Sequence, residues 1–132
     1  MTDMEREEIE ENLKQKYHDA ALLHENHCYA NAIYLCGYCA ELALKFAITK
    51  QLNWSAFRTA GRMSCLKSHE LDFLLQLTGQ EAAIKSTDDW QIVNKWKETD
   101  RYNDPRSVCD VDSQNMLEAT RKIVRQLCAI SL

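Results

Sequence analysis

Apolar residues recur at three- and four-residue steps along most of the chain, a spacing that predicts helices. Ile9, Leu13, Tyr17, Ala20, Ala21 and Leu23 or His24 make one stripe, on a helix that opens after Thr2 or Asp3 and ends near His27. Either residue can cap it, and the acidic opening (Glu5, Glu7, Glu8) suits the positive end of the helix dipole. A second helix is predicted from about Tyr29 to about Leu52. Ala30, Ile33, Tyr34, Gly37, Ala40, Leu44, Ala47 and Ile48 form its stripe, and Leu35, Leu42 and Phe46 broaden it. A helix that is apolar on most sides belongs at the centre of a bundle or at a subunit interface. Gly37 and Ala40 let a neighbour come close.

Residues 53–67 read as a loop. Ser68 is placed to cap a third helix with Leu71, Leu74, Leu75 and Thr78 inward and Gly79 as its stop. A short helical stretch follows over 80–84. Asp88 or Asp89 caps a fourth helix, with Trp90, Val93 and Trp96 or Lys97 on one face. The polar stretch 98–110, with Pro105, predicts an irregular loop. The last helix starts near Asp112 or Ser113, with Met116, Ala119, Thr120, Ile123, Leu127 and Ile130 inward. No strand of useful length is expected. The predicted fold class is all-α, a single domain over 1–132 built as an up-and-down bundle of four to five helices.

Composition supports this. One proline and three glycines in 132 residues favour long helices. The net charge of −4 excludes a general polyanion binder. Charge is uneven, however: Arg58, Arg62 and Lys67 lie in 53–67 with no acid. That loop is either solvated or a local phosphate contact. The acidic N-terminus lacks the apolar run of a secretory leader. The longest apolar stretch, Ala40 to Ile48, is interrupted by Glu41 and Lys45, so no bilayer span is expected. Six cysteines in such a chain are expected to be reduced, buried, small hydrophobes. These features predict a cytoplasmic protein.

Three stretches in order resemble HEPN domains, the helical family named for higher eukaryotes and prokaryotes nucleotide-binding. Residues 29–48, with their small residues, Glu41 and Lys45 one turn later, look like the family's second helix. Ser68-His69-Glu70-Leu71, followed by Leu74 and Leu75, is similar to its third-helix opening. Trp96-Lys-Glu-Thr-Asp-Arg101-Tyr102 looks like a Trp-then-Arg-Tyr segment of one branch. The resemblance covers roughly residues 5–130. It implies a helical bundle, often dimeric, that works as a metal-independent endoribonuclease, as a partner of small nucleotidyltransferases, or as an inactive binding domain. The nuclease motif is Arg, a polar residue, and His four to six positions after the Arg, near the start of a late helix. Here no His follows His69, so the Arg101 segment lacks the general acid/base. Arg62 and His69 have six residues between them but precede the third helix.

Glu41 stands mid-helix in apolar surroundings. A buried unpaired ion costs several kcal/mol, so it needs a cation. Lys45 is one turn away. Arg101 can make a two-pronged contact, and a Glu41–Arg101 pair with Tyr102 beside it is expected. That pair either fixes the polar loop or makes Glu41, Lys45, Arg101 and Tyr102 a ligand-binding wall. His24, His27, Cys28, Cys36 and Cys39 are zinc donor types, but Cys36-x-x-Cys39 lies within a predicted helix without a glycine-rich knuckle. No metal or cofactor is therefore expected. Cys65 near His69 shows no mark of an activated nucleophile. No glycine-rich phosphate loop is present. Trp54, Trp90 and Trp96 are base-stacking candidates, although the spacing of Trp90 and Trp96 suits the core.

Three functions remain in view. The first is a homodimeric HEPN-type binding module for RNA, a nucleotide or a nucleotidyltransferase, in a bacterial defence or toxin–antitoxin setting. The second is an endoribonuclease using Arg62 and His69. The third is a dimerisation protein with no ligand.

Overall fold

The computed structural model describes residues 3–132. Helix α1 (Arg6–Glu25) starts later than expected, because Glu5 and Glu8 form a reciprocal capping box. The Glu8 carboxylate accepts from the Glu5 N–H at 3.0 Å. Of the two expected caps, Thr2 lies outside the described residues, and Asp3 accepts instead from the Thr59 N–H at 3.2 Å. Next to the helix, β1 (Met4–Glu5) pairs antiparallel with β2 (Ala56–Phe57), Met4 opposite Phe57. Two residues cannot show an alternating pattern, so this pairing was invisible in the sequence.

Helix α2 (Tyr29–Gln51) is the axis of the molecule. The residues from Ala43 to Thr49 are all buried, because α1 covers one side and α6 (Asp110–Cys128) another. By length and composition α2 meets the requirement for a membrane-crossing helix, with mean hydropathy 1.4, and 78% of that window is buried inside the bundle. The expectation that no stretch is apolar enough is thus corrected: Glu41 and Lys45 do not offset the apolar residues around them in this 23-residue helix. The same apolarity is what a central bundle helix needs.

Arg6 locks the end of α2. Its guanidinium donates to Thr49 Oγ1 and to the Thr49 carbonyl, both at 3.2 Å, and to the Trp54 carbonyl. A cation there meets the negative end of the α2 dipole.

The remaining helices are short. α3 (Leu71–Gln76) begins after Glu70. Ser68 does not cap it directly, its hydroxyl accepting from the Glu70 N–H at 3.0 Å. Gly79, at φ +76°, turns the chain towards α4 (Glu81–Ile84). α5 (Asp88–Val93) is capped by Thr87, not by Asp88 or Asp89: the Thr87 hydroxyl accepts from the Trp90 N–H at 3.1 Å. Residues 98–107 hold two 3-10 turns, Glu98–Tyr102 and Pro105–Ser107. α6 starts two residues early, capped by Cys109, whose N–H donates to the Asp112 carboxylate at 3.1 Å.

The protein is an all-α helical bundle. Three long helices (α1, α2, α6) carry it, with three short ones filling the gap between α2 and α6. One continuous core joins Ile9 and Leu13 of α1, Leu44 and Ile48 of α2, Leu74 of α3, Trp90 of α5 and Ile123 of α6.

Candidate functional site

Glu41 and Lys45 stack one turn apart on α2, each only 3% exposed. Lys45 Nζ reaches Glu41 Oε2 at 3.1 Å and lies 5.4 Å from the centroid of the Phe57 ring. The other carboxylate oxygen, Oε1, faces His69 Nδ1 at 2.7 Å. A carboxylate only accepts, so Nδ1 carries the proton and donates it. His69 Nε2 then faces Glu98 Oε2 at 3.6 Å, and Glu98 Oε1 faces Arg101 Nη1 at 3.7 Å. Five polar groups therefore run in contact from the core to the surface: Lys45, Glu41, His69, Glu98 and Arg101.

The local fold explains the arrangement. α2 needs its one mid-helix acid neutralised, and Lys45 supplies the first cation from the same face. His69 stands in the extended segment before α3, where the Ser68 turn directs it back onto α2. Trp96 sets the position of the 98–102 turn. Its indole lies flat on Gly37, so close that a Cβ there would stand 2.1 Å from Cδ1 and Nε1. Tyr38 and Tyr34 flank the indole, with ring centroids at 5.2 and 6.1 Å. Trp96 Nε1 is buried and has no hydrogen-bond partner among the described residues.

Between the start of α3 and residues 94–99 lies an open cleft of about 720 Å³. His69, Glu70, Asp72, Trp96, Lys97 and Glu98 line it. Asp72 is held by two neutral donors, Trp90 Nε1 at 3.2 Å and Asn94 Nδ2 at 2.9 Å. The cleft thus offers an indole edge, one ammonium, three carboxylates and an imidazole 44% exposed. Such a set suits a flat ligand that both donates and accepts hydrogen bonds.

Two expectations change here. Arg101 does not pair with Glu41, because Lys45 and His69 already occupy both of its oxygens. Arg101 is exposed over the Tyr102 ring, its carbon 4.8 Å from the centroid. Hydrogen bonds to the Tyr102 and Tyr34 hydroxyls hold its guanidinium above the ordinary arginine value. Second, the expected wall of Glu41, Lys45, Arg101 and Tyr102 does not line the cleft. Glu41 and Lys45 are buried behind His69, and Tyr102 is 76% exposed outside it. The sequence offers His69 as an alternative catalytic residue and as part of the third-helix opening, not as a partner of Glu41. The sequence signal that it partners Glu41 was the buried acid itself, which requires cations, but nothing in the spacing selects His69 over Arg101.

Arg62 sits exposed on a 3-10 turn, Gly61–Leu66, and is not a partner of His69. Arg58 and Lys67 are also exposed, the Arg58 guanidinium lying 5.2 Å from the centre of the Trp54 ring system. The six cysteines are not all buried as expected: Cys28, Cys65 and Cys109, in the turns at helix ends and in the 53–67 segment, are exposed, while Cys36, Cys39 and Cys128 are buried, and Cys39 Sγ–H donates to the Leu13 carbonyl at 3.3 Å. Burial pushes the Cys36 thiol up to about 12 and holds Cys39 well above the ordinary thiol value, which keeps both neutral. His24 pairs with the Ser113 hydroxyl at 2.8 Å and His27 with the Tyr29 hydroxyl at 2.7 Å. Among the described residues no three His, Cys, Asp or Glu side chains converge as metal donors.

No family model matches the chain, and no curated protein or solved structure matches it either.

Proposed function

We propose that this protein is a HEPN-type helical binding module acting as a cytoplasmic homodimer. Its ligand is RNA, a nucleotide or a nucleotidyltransferase partner, in a bacterial defence or toxin–antitoxin setting. The observation that carries this is the cleft beside Trp96, where an indole, Lys97 and a set of fixed acceptors converge over a buried charge pair. The carboxylates and the Asn94 amide that line it are groups that read the edges of bases, and Lys97 offers one cation. The contacts of His69 favour binding over cleavage. Its Nδ1 is committed to Glu41 and its Nε2 faces an acid, and Arg62 stands in neither contact.

The experiment is a thermal-shift panel of nucleotides and short RNA oligomers against wild type, Lys97→Ala and Trp96→Leu. A ligand at 100 times its Kd adds about 2.7 kcal/mol of stability. A shift in wild type that both variants lose supports the cleft. No shift with any probe removes the nucleic-acid ligand. RNA cutting by wild type that disappears in His69→Ala replaces binding with endoribonuclease activity. Light scattering of the pure protein tests the dimer.

A further inference from the structure

Residues 97–107 form a surface segment bonded mainly to itself. Asp100 accepts from the Lys97 N–H at 3.0 Å and from Asn103 at 3.2 Å. Asp104 takes the Arg106 guanidinium at 3.0 Å, and the Ser107 hydroxyl donates to the Asp104 carbonyl at 2.7 Å. Every residue in it is exposed except Glu98 and Asp100, which are half-buried. Among the described residues, its ion-pair contact with the rest of the bundle is Glu98 with His69. Trp96, seated on Gly37, is the fixed point at its start. Lys97, Glu98 and Thr99 are one wall of the cleft, so movement of the segment changes access to it.

We propose that residues 97–107 are a lid latched by His69, closed while the imidazole carries two protons and released when it loses one. The donor count is the reason. Glu41 and Glu98 face opposite nitrogens of one ring, and carboxylates only accept. Only an imidazolium turns an N–H to both, a hydrogen bond to Glu41 at 2.7 Å and an ion-pair contact with Glu98 at 3.6 Å. A neutral ring has one N–H, and the buried Glu41 oxygen at 2.7 Å keeps it, because an unsatisfied buried acceptor is the costlier loss. The Nε2 lone pair then meets Glu98 Oε2 at 3.6 Å, acceptor against acceptor, and the inner tie of the lid is gone.

The groups facing His69 act in a consistent direction. From α2 come Glu41, with Lys45 on its far oxygen, and Tyr38, ring edge to ring face at 6.3 Å. From the lid come Glu98, with Arg101 behind it, and Lys97. Glu70 and Asp72 complete the wall from the α3 side. The lid closes when the ring holds its second proton, which acid favours, and opens when that proton is lost. This holds whatever ligand the cleft takes.

Backbone ¹⁵N order parameters at pH 5.5 and pH 8.0 test the latch. In wild type the amides of 98–103 are expected to be rigid at pH 5.5, about 0.85, and to fall below about 0.6 at pH 8.0, while α2 stays rigid. His69→Gln and Glu98→Gln should leave the segment mobile at both pH values. Glu98 is a surface residue, so its variant tests the latch even where His69→Gln fails to fold. A wild-type segment equally ordered at both pH values overturns the proposal. So does a pH response that survives in Glu98→Gln, which would assign it to His18, His24 or His27.

Discussion

Glu41 and Arg101 are the inner acid and the outer cation of one chain, joined through His69 and Glu98 rather than to each other. The consequence is a steep gradient in what each link contributes. Removing Lys45 leaves a buried carboxylate with one partner fewer, and breaking such a pair costs about 3–5 kcal/mol. Lys45→Met should therefore lower the urea midpoint sharply. The double variant Glu41→Leu/Lys45→Met should regain most of that loss, since a well-packed apolar pair is often as stable as a buried ion pair. Arg101→Ala should leave the midpoint unchanged, because its side chain is at the surface. A severe loss on Arg101→Ala, or a double variant no better than Lys45→Met, would contradict this ordering.

Arg6 offers a second test. It ties the start of α1 to the last turn of α2 and to the Trp54 carbonyl. Hydrogen bonds from a charged donor contribute about 1.5–3 kcal/mol. Arg6→Met keeps the aliphatic stem and removes the donors, so a loss of that size in chemical denaturation is expected. Hydrogen exchange should quicken at residues 49–57 before the rest of the bundle. Uniform loss across all helices would mean that Arg6 does not act as a local clamp.

The long helices were legible because each buries one face over five or more turns, so the apolar period repeats often enough to stand out. α2 was legible almost to the residue. Its neighbours of six residues or fewer were placed by their caps, and there the sequence misled: Thr87 rather than Asp88 or Asp89 caps α5, and Glu70 rather than Ser68 precedes α3. Both are choices among adjacent polar residues that differ only in backbone angle. The site was half legible. A mid-helix acid with a lysine one turn on announced a buried charge, but the second cation arrives from 28 residues away, and no local pattern encodes that meeting.

Alkaline pH provides a third test. Burial pushes the Cys36 thiol up to about 12, against a smaller opposing effect of the Thr120 hydroxyl, and burial likewise pushes Cys128 up to about 12. Tyr17, whose hydroxyl donates to the Leu117 carbonyl at 3.0 Å, is also raised by burial to about 12. In each the folded value lies above the unfolded one, near 9 for the thiols and 10 for the phenol. The unfolded chain therefore loses its protons first. Stability is full below about pH 8.5 and falls as pH rises towards 12. By pH 10 each thiol should have cost on the order of 1 kcal/mol. The urea midpoint of wild type should fall between pH 8 and pH 10. Cys36→Ala/Cys128→Ala should begin lower, from lost packing, and fall less steeply. Parallel slopes in the two proteins would show that the thiols do not carry the effect.

The contact between Gly37 and Trp96 makes the sharpest prediction. A Cβ at position 37 would stand 2.1–2.2 Å from three indole atoms, and the ring is only 4% exposed. A buried ring packed against Tyr34 and Tyr38 cannot clear that overlap by a small rotation, so Gly37→Ala must lift it out. Overpacking of this kind costs about 1–3 kcal/mol. Trp96 should become more exposed to solvent, and its emission should shift to the red. Because Trp96 fixes the start of the 97–107 segment, the amide resonances of 98–103 should move as well. The cycle with Trp96→Leu isolates the contact. If the two residues are coupled as the geometry requires, Gly37→Ala costs much less once the indole is gone. Equal costs in the two backgrounds would place the strain elsewhere on α2 and leave Trp96 without its role as the hinge of the cleft wall.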